Sequence, residues 1–215
     1  MIRILGVLVI VASFVLNIFL VVDKINTENK NYYTVTRVID GDTFETDAGA
    51  QIRILGADAP EAGFCGASEA KSYLEKLILN KKVKISPTAN DIFRRLVADV
   101  YSDGRSINNQ MIASGWVAFD SSDSQNTKTM KESGENARKN KLGIYSEKCT
   151  QTIPPNKKCA IKANINDTFG DKIYYPANCG PRYDNVVVDL WRGDQWFCTE
   201  SEEQKAGFVR AKVCG

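Results

Sequence analysis

The sequence predicts an α+β fold, mainly β, in which a small barrel of five short strands is packed by three helices. Three observations support this prediction. Short segments that alternate apolar and polar residues are separated by Gly- and Asp-containing turns, as strands are. Helical segments lie among them without the regular strand-helix alternation of a parallel sheet. An apolar run precedes this region and a segment with four cysteines follows it, which predicts one transmembrane helix and a small β-rich, cysteine-containing domain.

The strands are expected in this order. Residues 33–39 alternate polar and β-branched residues, and residues 43–46 and 51–55 follow on either side of the turn at residues 47–49. This arrangement is typical of an antiparallel meander. The last two predicted strands are residues 82–86 and 97–101.

Three helices are expected from apolar spacing and end signals. Residues 67–79 place Ala70, Leu74 and Ile78 on one face. Residues 107–114 form a short helix that Gly115 ends, and residues 128–141 form a polar one.

The amino terminus carries a membrane signal. Residues 4–22 contain only two polar residues, Ser13 and Asn17, and as a helix they would span roughly 28 Å, close to the thickness of a bilayer core. Arg3 precedes the run, which favours a cytoplasmic amino terminus, and no small-residue cleavage site follows it. We therefore expect an uncleaved signal anchor and a protein held on the extracytoplasmic face, periplasmic or at the cell surface. The alternative is a cleaved signal peptide and a secreted protein.

Four segments follow from this pattern. Residues 1–31 are the anchor and tether, residues 32–149 the large module, residues 150–158 a linker with two prolines, and residues 159–215 the small module. The large module has 16 Lys and Arg against 16 Asp and Glu, a net charge of zero. A strongly basic domain, the usual electrostatic sign of a nucleic-acid-binding protein, is therefore excluded. Any nucleic-acid chemistry must rest on a local site.

The chain contains no histidine. Catalytic triads and dyads built on histidine are excluded, and so are histidine metal ligands. Catalysis must use carboxylates, arginines, lysines, cysteines or hydroxyls.

Four carboxylates stand at the ends of predicted strands: Asp40, Asp42, Asp58 and Glu61. If the strands pair as a meander, Asp42 and Asp58 can converge, and oxygen ligands of this kind suit a hard cation, Ca²⁺ most naturally. Arg53 lies between two inward-facing isoleucines and must point to solvent or into a polar pocket. Taken alone, Asp40-Gly41-Asp42 is more typical of a solvated turn.

A second charged segment contains Arg94 and Arg95 just before the strand at residues 97–101. Taken alone, this pair is typical of a solvated loop. The order in which the two segments occur along the chain favours a functional interpretation of both.

The order is DGDT, a strand with one arginine, GADAPE, and then an arginine before a strand that ends in VYSDG. GASEAKSYLEKL, INNQMIASGWV and SGENARKNKLGIYS follow as helices. Over residues 32–149 this pattern resembles the staphylococcal nuclease (thermonuclease) family. The resemblance implies an OB-fold barrel and calcium-dependent endonuclease or exonuclease hydrolysis of DNA and RNA phosphodiesters.

The resemblance also implies roles for individual residues. Asp42 and Asp58 would bind Ca²⁺ through their carboxylates and Ala59 through its backbone carbonyl. Glu61 would be the general base or would position the attacking water, and Arg53 and Arg95 would hold the phosphate and stabilise the transition state. Asp40 and Arg94 would support the site. The family's usual Tyr-Gly-Arg is Phe93-Arg94-Arg95 here, and counting back from Val97 favours Arg95 as the catalytic arginine.

Residues 159–215 resemble the small sunset domain that follows thermonuclease domains, on IKANI, GDKIYY and DQWFCTESEEQKAGF. This resemblance implies no established activity. Two interpretations of the cysteines stay open. Disulfides would pair Cys65 with Cys149, Cys159 with Cys214 and Cys179 with Cys198. A zinc site would use Cys159, Cys179, Cys198 and Cys214, but no Cys-x-x-Cys pair is present, and export favours disulfides.

The sequence and the family resemblance together predict a monomeric, membrane-tethered, calcium-dependent nuclease that acts on DNA and RNA, and no protein partner can be inferred from them. The alternative is a non-catalytic OB-fold module at the cell envelope that binds nucleic acid or serves as a scaffold.

Overall fold

The computed structural model describes residues 13–20, 31–121, 124, 126–166 and 170–214. Residues 13–20 are helical and exposed. In these described ranges we find no helix with the length and apolar character needed to cross a bilayer. Residues 4–12 and 21–22 of the expected membrane segment lie outside the described residues, so the signal anchor stays a prediction.

Five strands close into a barrel, as the sequence predicts. The sheet runs β3-β2-β1-β5-β6, and β3 then pairs in parallel with β6, which completes the ring. The strands are β1 (Tyr32–Val38), β2 (Thr43–Thr46), β3 (Gln51–Ile54), β5 (Lys82–Asn90) and β6 (Leu96–Ser102).

The barrel interior follows the period of two that strands impose. Ile52 and Ile54 on β3 are buried, whereas Arg53 between them is only half-buried and faces the opposite way. Phe44 on β2 and Val100 on β6 are fully buried in the same core.

Three main helices pack on the barrel, as predicted: α1 (Ala67–Ile78), α2 (Ile107–Ser114) and α3 (Thr127–Lys139). The α2 helix begins at Ser106, whose hydroxyl accepts a hydrogen bond from Asn109 N. It ends at Gly115, which has a φ of 75° and lies so close to Leu142 that an added Cβ would be 2.6 Å from its carbonyl oxygen. Glycine is therefore required there.

Three strands of the large module contain only two residues each, which is too short for an alternation of polar and apolar residues to show in the sequence. They are β4 (Ala57–Asp58), β7 (Arg105–Ser106) and β8 (Ala118–Phe119). β4 belongs to the acidic loop, which we define as residues 55–66 between β3 and α1. Because β4 pairs with β8, this loop lies beside the segment that follows α2.

The small module is built on a second sheet, in the order β13-β10-β11-β14. Its core contains Ala163, Tyr174 and Phe208. The strands are β10 (Ile161–Ile165), β11 (Lys172–Tyr175), β13 (Gln195–Phe197) and β14 (Val209–Arg210), and the short helices are α4 (Pro181–Asp184) and α5 (Glu200–Lys205). A 3₁₀ turn, Lys212–Cys214, follows β14, and another, Gly143–Tyr145, lies near the end of the large module.

The two modules share one small sheet and one apolar cluster. β9 (Thr150–Gln151), at the start of the expected linker, pairs with β12 (Val188–Asp189) of the small module. Trp191 is 3% exposed and packs among Ala118, Ile144 and Tyr145. The small module is therefore docked on the large module, residues 32–149, which we call the barrel domain from here on.

All six cysteines form disulfides. Cys65–Cys149 confirms the sequence prediction. The predicted pairs Cys159–Cys214 and Cys179–Cys198 are wrong, because the structure joins Cys159 to Cys198 and Cys179 to Cys214. The zinc alternative is also wrong, since no thiol is left to bind a metal.

Strand register explains these pairings. β10 and β13 are antiparallel with Ile161 opposite Phe197, which brings Cys159 beside Cys198. β11 and β14 are parallel with Tyr174 opposite Arg210, so Cys179 and Cys214 come together four or five residues further along.

Candidate active site

Asp42 is the buried centre of the site. It is the last residue of the turn between β1 and β2, and it is 2% exposed. Its Oδ1 accepts hydrogen bonds from Arg53 Nη1 at 2.7 Å and from the Thr43 hydroxyl at 2.8 Å, and its Oδ2 accepts from Ala59 N at 2.9 Å. Burial raises the pKa of Asp42 to about 6, against the lowering effect of Arg53.

Arg53 joins two carboxylates. Its Nη2 donates to Asp58 Oδ1 at 3.1 Å and to the Ala57 carbonyl at 3.4 Å, while Nη1 holds Asp42. Burial lowers the pKa of Arg53, but Asp42 and Asp58 more than offset that effect, so its pKa lies above the usual value. The guanidinium is therefore charged and fixed in place.

Asp40 shapes the turn that presents Asp42. Its Oδ1 accepts hydrogen bonds from the backbone N–H groups of Asp42 at 3.0 Å and Thr43 at 2.7 Å. At Gly41 an added Cβ would be 2.5 Å from the Ala70 side chain and 2.8 Å from that of Ala59. Only glycine allows the turn to approach α1 and the acidic loop this closely.

Arg95 reaches the same centre from the other side. Its Nη1 donates to the Thr43 hydroxyl at 3.2 Å, and its Nε donates to Asp91 Oδ2 at 2.6 Å. The other Asp91 oxygen accepts from Arg95 N at 2.9 Å and from Phe93 N at 2.9 Å. Asp91 therefore fixes both the loop and the guanidinium that the loop presents.

The structure separates the two neighbouring arginines. Arg94 is exposed and has a φ of 65°, in the left-handed region that non-glycine residues rarely adopt. Arg95 is the member of the pair that is brought to Thr43 and, through it, next to Asp42.

The acidic loop after β3 carries the remaining candidate residues. Asp58 is half-exposed at its side chain, Glu61 is exposed and Ala59 is partly buried. Glu61 and Asp58 line a cleft of about 560 Å³. The other residues that line it are Ala59, Phe64, Ala118, Phe119, Asp120, Trp191 and Arg192.

The four predicted carboxylates do not gather into one cluster. Among the described residues, no group of three or more His, Cys, Asp or Glu side chains is close enough to hold a metal ion. Asp42 and Asp58 approach each other through Arg53, whose positive charge lies between them. The donors are nonetheless hard oxygens on a buried and an exposed carboxylate, which is the chemistry that Ca²⁺ prefers.

Sequence reasoning missed several residues of the site. Asp91 had a signal for a turn, since an aspartate side chain can accept a hydrogen bond from the backbone N–H two residues further on, here Phe93 N. Thr43, which links Asp42 to Arg95, had none beyond its place in DGDT. Trp191 and Arg192 had no signal that linked them to this site, because they lie in the small module, more than 70 positions beyond Asp120.

Comparison with known proteins finds the same family that the sequence motifs resemble. The sequence profile described as "Staphylococcal nuclease homologue" matches residues 51–147. An uncharacterized endonuclease of Haemophilus influenzae is 26% identical over 142 residues, which are 64% of this chain and 79% of that protein. An uncharacterized endonuclease of Escherichia coli is 30% identical over 128 residues, 56% of this chain and 80% of that protein. A probable staphylococcal-like nuclease of Oryza sativa is 37% identical over 74 residues, 33% of this chain but only 22% of that protein.

A closed five-stranded barrel with arginines and carboxylates at one end, together with these relatives, defines a hydrolase of the phosphodiesterase class. The chain belongs to the staphylococcal nuclease family.

Proposed function

We propose that this protein is a calcium-dependent nuclease that hydrolyses phosphodiester bonds of DNA and RNA on the extracytoplasmic face of the cell. The observation that carries the proposal is the convergence of Arg53 and Arg95 on Asp42 and its neighbour Thr43. Two guanidiniums held next to carboxylates are suited to a reaction in which negative charge grows on a phosphate.

The arginines would supply the electrostatic part of catalysis. A phosphodiester is already anionic, and attack by water adds charge to its oxygens. Arg53 is fixed by Asp42 and Asp58, and Arg95 by Asp91, so neither guanidinium needs to reorganise when the transition state forms. Each offers a planar fork of N–H donors that matches the oxygens of a phosphate.

Glu61 would act as the general base. It is exposed and lines the same cleft as Asp58, where water and substrate can reach it. A carboxylate in reach of the attacking water can accept its proton, so the reaction needs no histidine.

Asp42 and Asp58 would hold Ca²⁺ through their carboxylates and Ala59 through its carbonyl, with Asp40 in support. When bound, Ca²⁺ supplies positive charge that neutralises the substrate phosphate. Asp42 is held for this role by hydrogen bonds from Thr43 and Ala59.

Three disulfides support an oxidising, extracytoplasmic location. The apolar run at residues 4–22 supports export as well, and we propose that it tethers the protein to the membrane. Cell fractionation tests this proposal: the protein should remain with membranes after a high-salt wash, and release into the medium would instead indicate cleavage.

Incubation of the full chain with DNA or with RNA, in Ca²⁺ or in an excess of chelator, tests the activity. We expect cleavage in Ca²⁺ and none with the chelator. Folded protein that fails to cleave either substrate in Ca²⁺ would overturn the proposal. If it then still bound nucleic acid, the non-catalytic module would be the better interpretation.

The variant Glu61→Gln tests the general base. We expect a fall in cleavage rate on the order of 10²–10⁴-fold, the range that a positioned acid or base contributes. Glu132→Gln makes the same chemical change at an exposed site on α3 and should leave the rate unchanged. Equal rates for Glu61→Gln and the unmodified protein would contradict the assignment.

A further inference from the structure

The cleft beside the proposed catalytic residues has walls from both modules. Asp58 and Glu61 come from the barrel domain, whereas Trp191 and Arg192 come from the small module, which has no assigned activity. The position of Arg192 in this cleft therefore depends on how firmly the small module is docked.

The docking contacts surround Arg192 on its amino-terminal side. Leu190 N donates to the Cys149 carbonyl at 2.8 Å, and the Thr150 hydroxyl donates to Asp189 Oδ1 at 2.8 Å. Trp191 is buried and meets the ring of Tyr145 edge-on, with 6.3 Å between ring centroids. The segment that carries Arg192 is thus fixed by hydrogen bonds and by an apolar contact.

The guanidinium of Arg192 is oriented by its neighbours. It lies over the Trp191 ring at 4.4 Å, and Arg138 lies over the Tyr145 ring at 4.7 Å. Burial and the charge of Arg138 lower the pKa of Arg192, while Asp194 and Asp58 act in the opposite direction. A second positive charge near Arg192 favours an anion at this wall of the cleft.

We propose that Arg192 forms a second phosphate-binding subsite, which holds a backbone phosphate of a single-stranded nucleic acid next to the phosphate that is cleaved. This inference rests on the proposed function. A cleft of about 560 Å³ has the size of a small-molecule site, which suits a nucleotide of one strand rather than a duplex.

Phe64 offers a surface for a base at the same subsite. Its side chain is on the acidic loop, is 38% exposed, and packs so closely on Gly193 that an added Cβ there would be 2.7 Å from the ring. Base stacking on an aromatic ring tolerates any sequence. A phosphate on Arg192 and a base on Phe64 would together position the strand across Glu61.

The competing explanation is purely structural. Asp58, Glu61 and Asp120 face the same cleft, and Arg192 could serve only as a counter-ion for them. A counter-ion would affect stability, but it would not contribute selectively to substrate binding, so the two explanations predict different results.

The test compares the full chain with Arg192→Gln, Arg192→Lys and a control, Arg182→Gln, which removes the same charge from an exposed site of the small module away from the cleft. The substrate is a fluorescein-labelled single-stranded DNA of about ten nucleotides, within the site size of an OB fold. Cleavage in Ca²⁺ gives KM and kcat. Fluorescence anisotropy in chelator gives Kd for the same DNA at several salt concentrations.

For Arg192→Gln we expect KM and Kd to rise about tenfold, as the loss of a charge-assisted hydrogen bond implies. We expect kcat to stay within about twofold, and the salt dependence of log Kd to weaken by about 0.7. Arg192→Lys should restore part of the binding, because it keeps the charge but not the fork. Arg182→Gln should behave like the unmodified protein.

Unchanged KM and Kd in Arg192→Gln, or equal losses in Arg182→Gln, would overturn the subsite. Thermal unfolding shows whether Arg192→Gln is folded, and if it is not, Arg192→Lys decides the question by the same criteria. If the unmodified protein binds the DNA but does not cleave it, the proposed function fails, and the Kd values still decide the subsite. If it neither binds nor cleaves, both proposals fall.

Discussion

Asp42 shows how a single residue is constrained by the barrel. Its carboxylate is buried and accepts three hydrogen bonds, one of them from the charged Arg53. A buried carboxylate that is ionised needs such partners, because the desolvation of its charge is costly. The stability of the turn and the charge of the site therefore depend on the same guanidinium.

Arg53→Ala should lower both stability and activity. Removing one partner of a buried ion pair costs about 3 kcal/mol in unfolding free energy. Losing one transition-state donor costs about 10²–10³-fold in rate. Urea unfolding and cleavage assays measure the two effects. Arg53→Lys is the matched variant: it should keep part of the stability and lose most of the rate, because a lysine cannot hold Asp42 and Asp58 together.

Glu203, on α5, is a second buried carboxylate with a different environment. Its side chain is fully buried, and within the described part of the chain neither carboxylate oxygen has a hydrogen-bond partner. Burial, with the nearby Glu200 and Glu202, raises its pKa from 4.5 to about 7. The folded state therefore holds this proton more tightly than the unfolded state does.

The sign of the pH dependence follows from this pKa. As pH rises from about 4.5 to about 7, the contribution of Glu203 to stability is lost, because the unfolded state releases this proton over that range while the folded state still holds it. Glu203→Met should be more stable than the unmodified protein at pH 8, by about 1–3 kcal/mol, the cost of an unpaired buried polar group. The gain should be smaller at pH 5. Chemical unfolding at both pH values measures it, and an equal gain at both would contradict the raised pKa.

At the scale of elements, the acidic loop is held in place by a disulfide. Cys65 joins this loop to Cys149, next to β9, and Cys65 N also donates to the Leu190 carbonyl at 3.4 Å. The loop carries Glu61, so the disulfide and the proposed general base belong to one segment.

Replacement of Cys65 and Cys149 together by alanine should reduce stability by about 2–4 kcal/mol. It should also reduce kcat, since the loop that carries Glu61 gains freedom. Thermal unfolding and cleavage kinetics provide the measurements. The paired control, Cys159→Ala with Cys198→Ala, removes a disulfide within the small module, and we expect its kcat to be unchanged. A loss of kcat in the control alone would refute the role of the loop.

At the scale of the whole molecule, the docking of the two modules depends on a large aromatic residue. Trp191 packs in a cluster with Ala118, Ile144 and Tyr145, all from the barrel domain. β9 and β12 add backbone pairing beside it. The modules therefore share apolar surface that neither could bury alone.

Trp191→Ala should destabilise the full chain by about 3–5 kcal/mol, the range for loss of a large buried aromatic side chain. Trp191→Phe should cost less, because it keeps an aromatic ring and removes an indole N–H that has no hydrogen-bond partner in the described structure. Equilibrium unfolding in urea measures both. If Trp191→Ala were as stable as the unmodified protein, the modules would be undocked in solution.

The predictability of this molecule from its sequence varied with the range of the interactions. The α2 helix was bounded correctly at residues 107–114, because Gly115 lies next to its end. The outward position of Arg53 followed from the alternation with Ile52 and Ile54. By contrast, the two pairings of the small module's cysteines were wrong, since they depend on which strands are neighbours.

By itself, the sequence determined the barrel strands, the three main helices and the absence of histidine chemistry. It also identified DGDT and GADAPE as candidate segments of the site. These depend on local periodicity, turn chemistry and composition, which act over a few positions. The tertiary structure alone decided that Thr43 connects Asp42 to Arg95, that Arg53 lies between Asp42 and Asp58, and that Arg192 faces the cleft of Glu61. The physical reason is that such contacts depend on strand register and on packing between distant segments, which no short stretch of sequence contains.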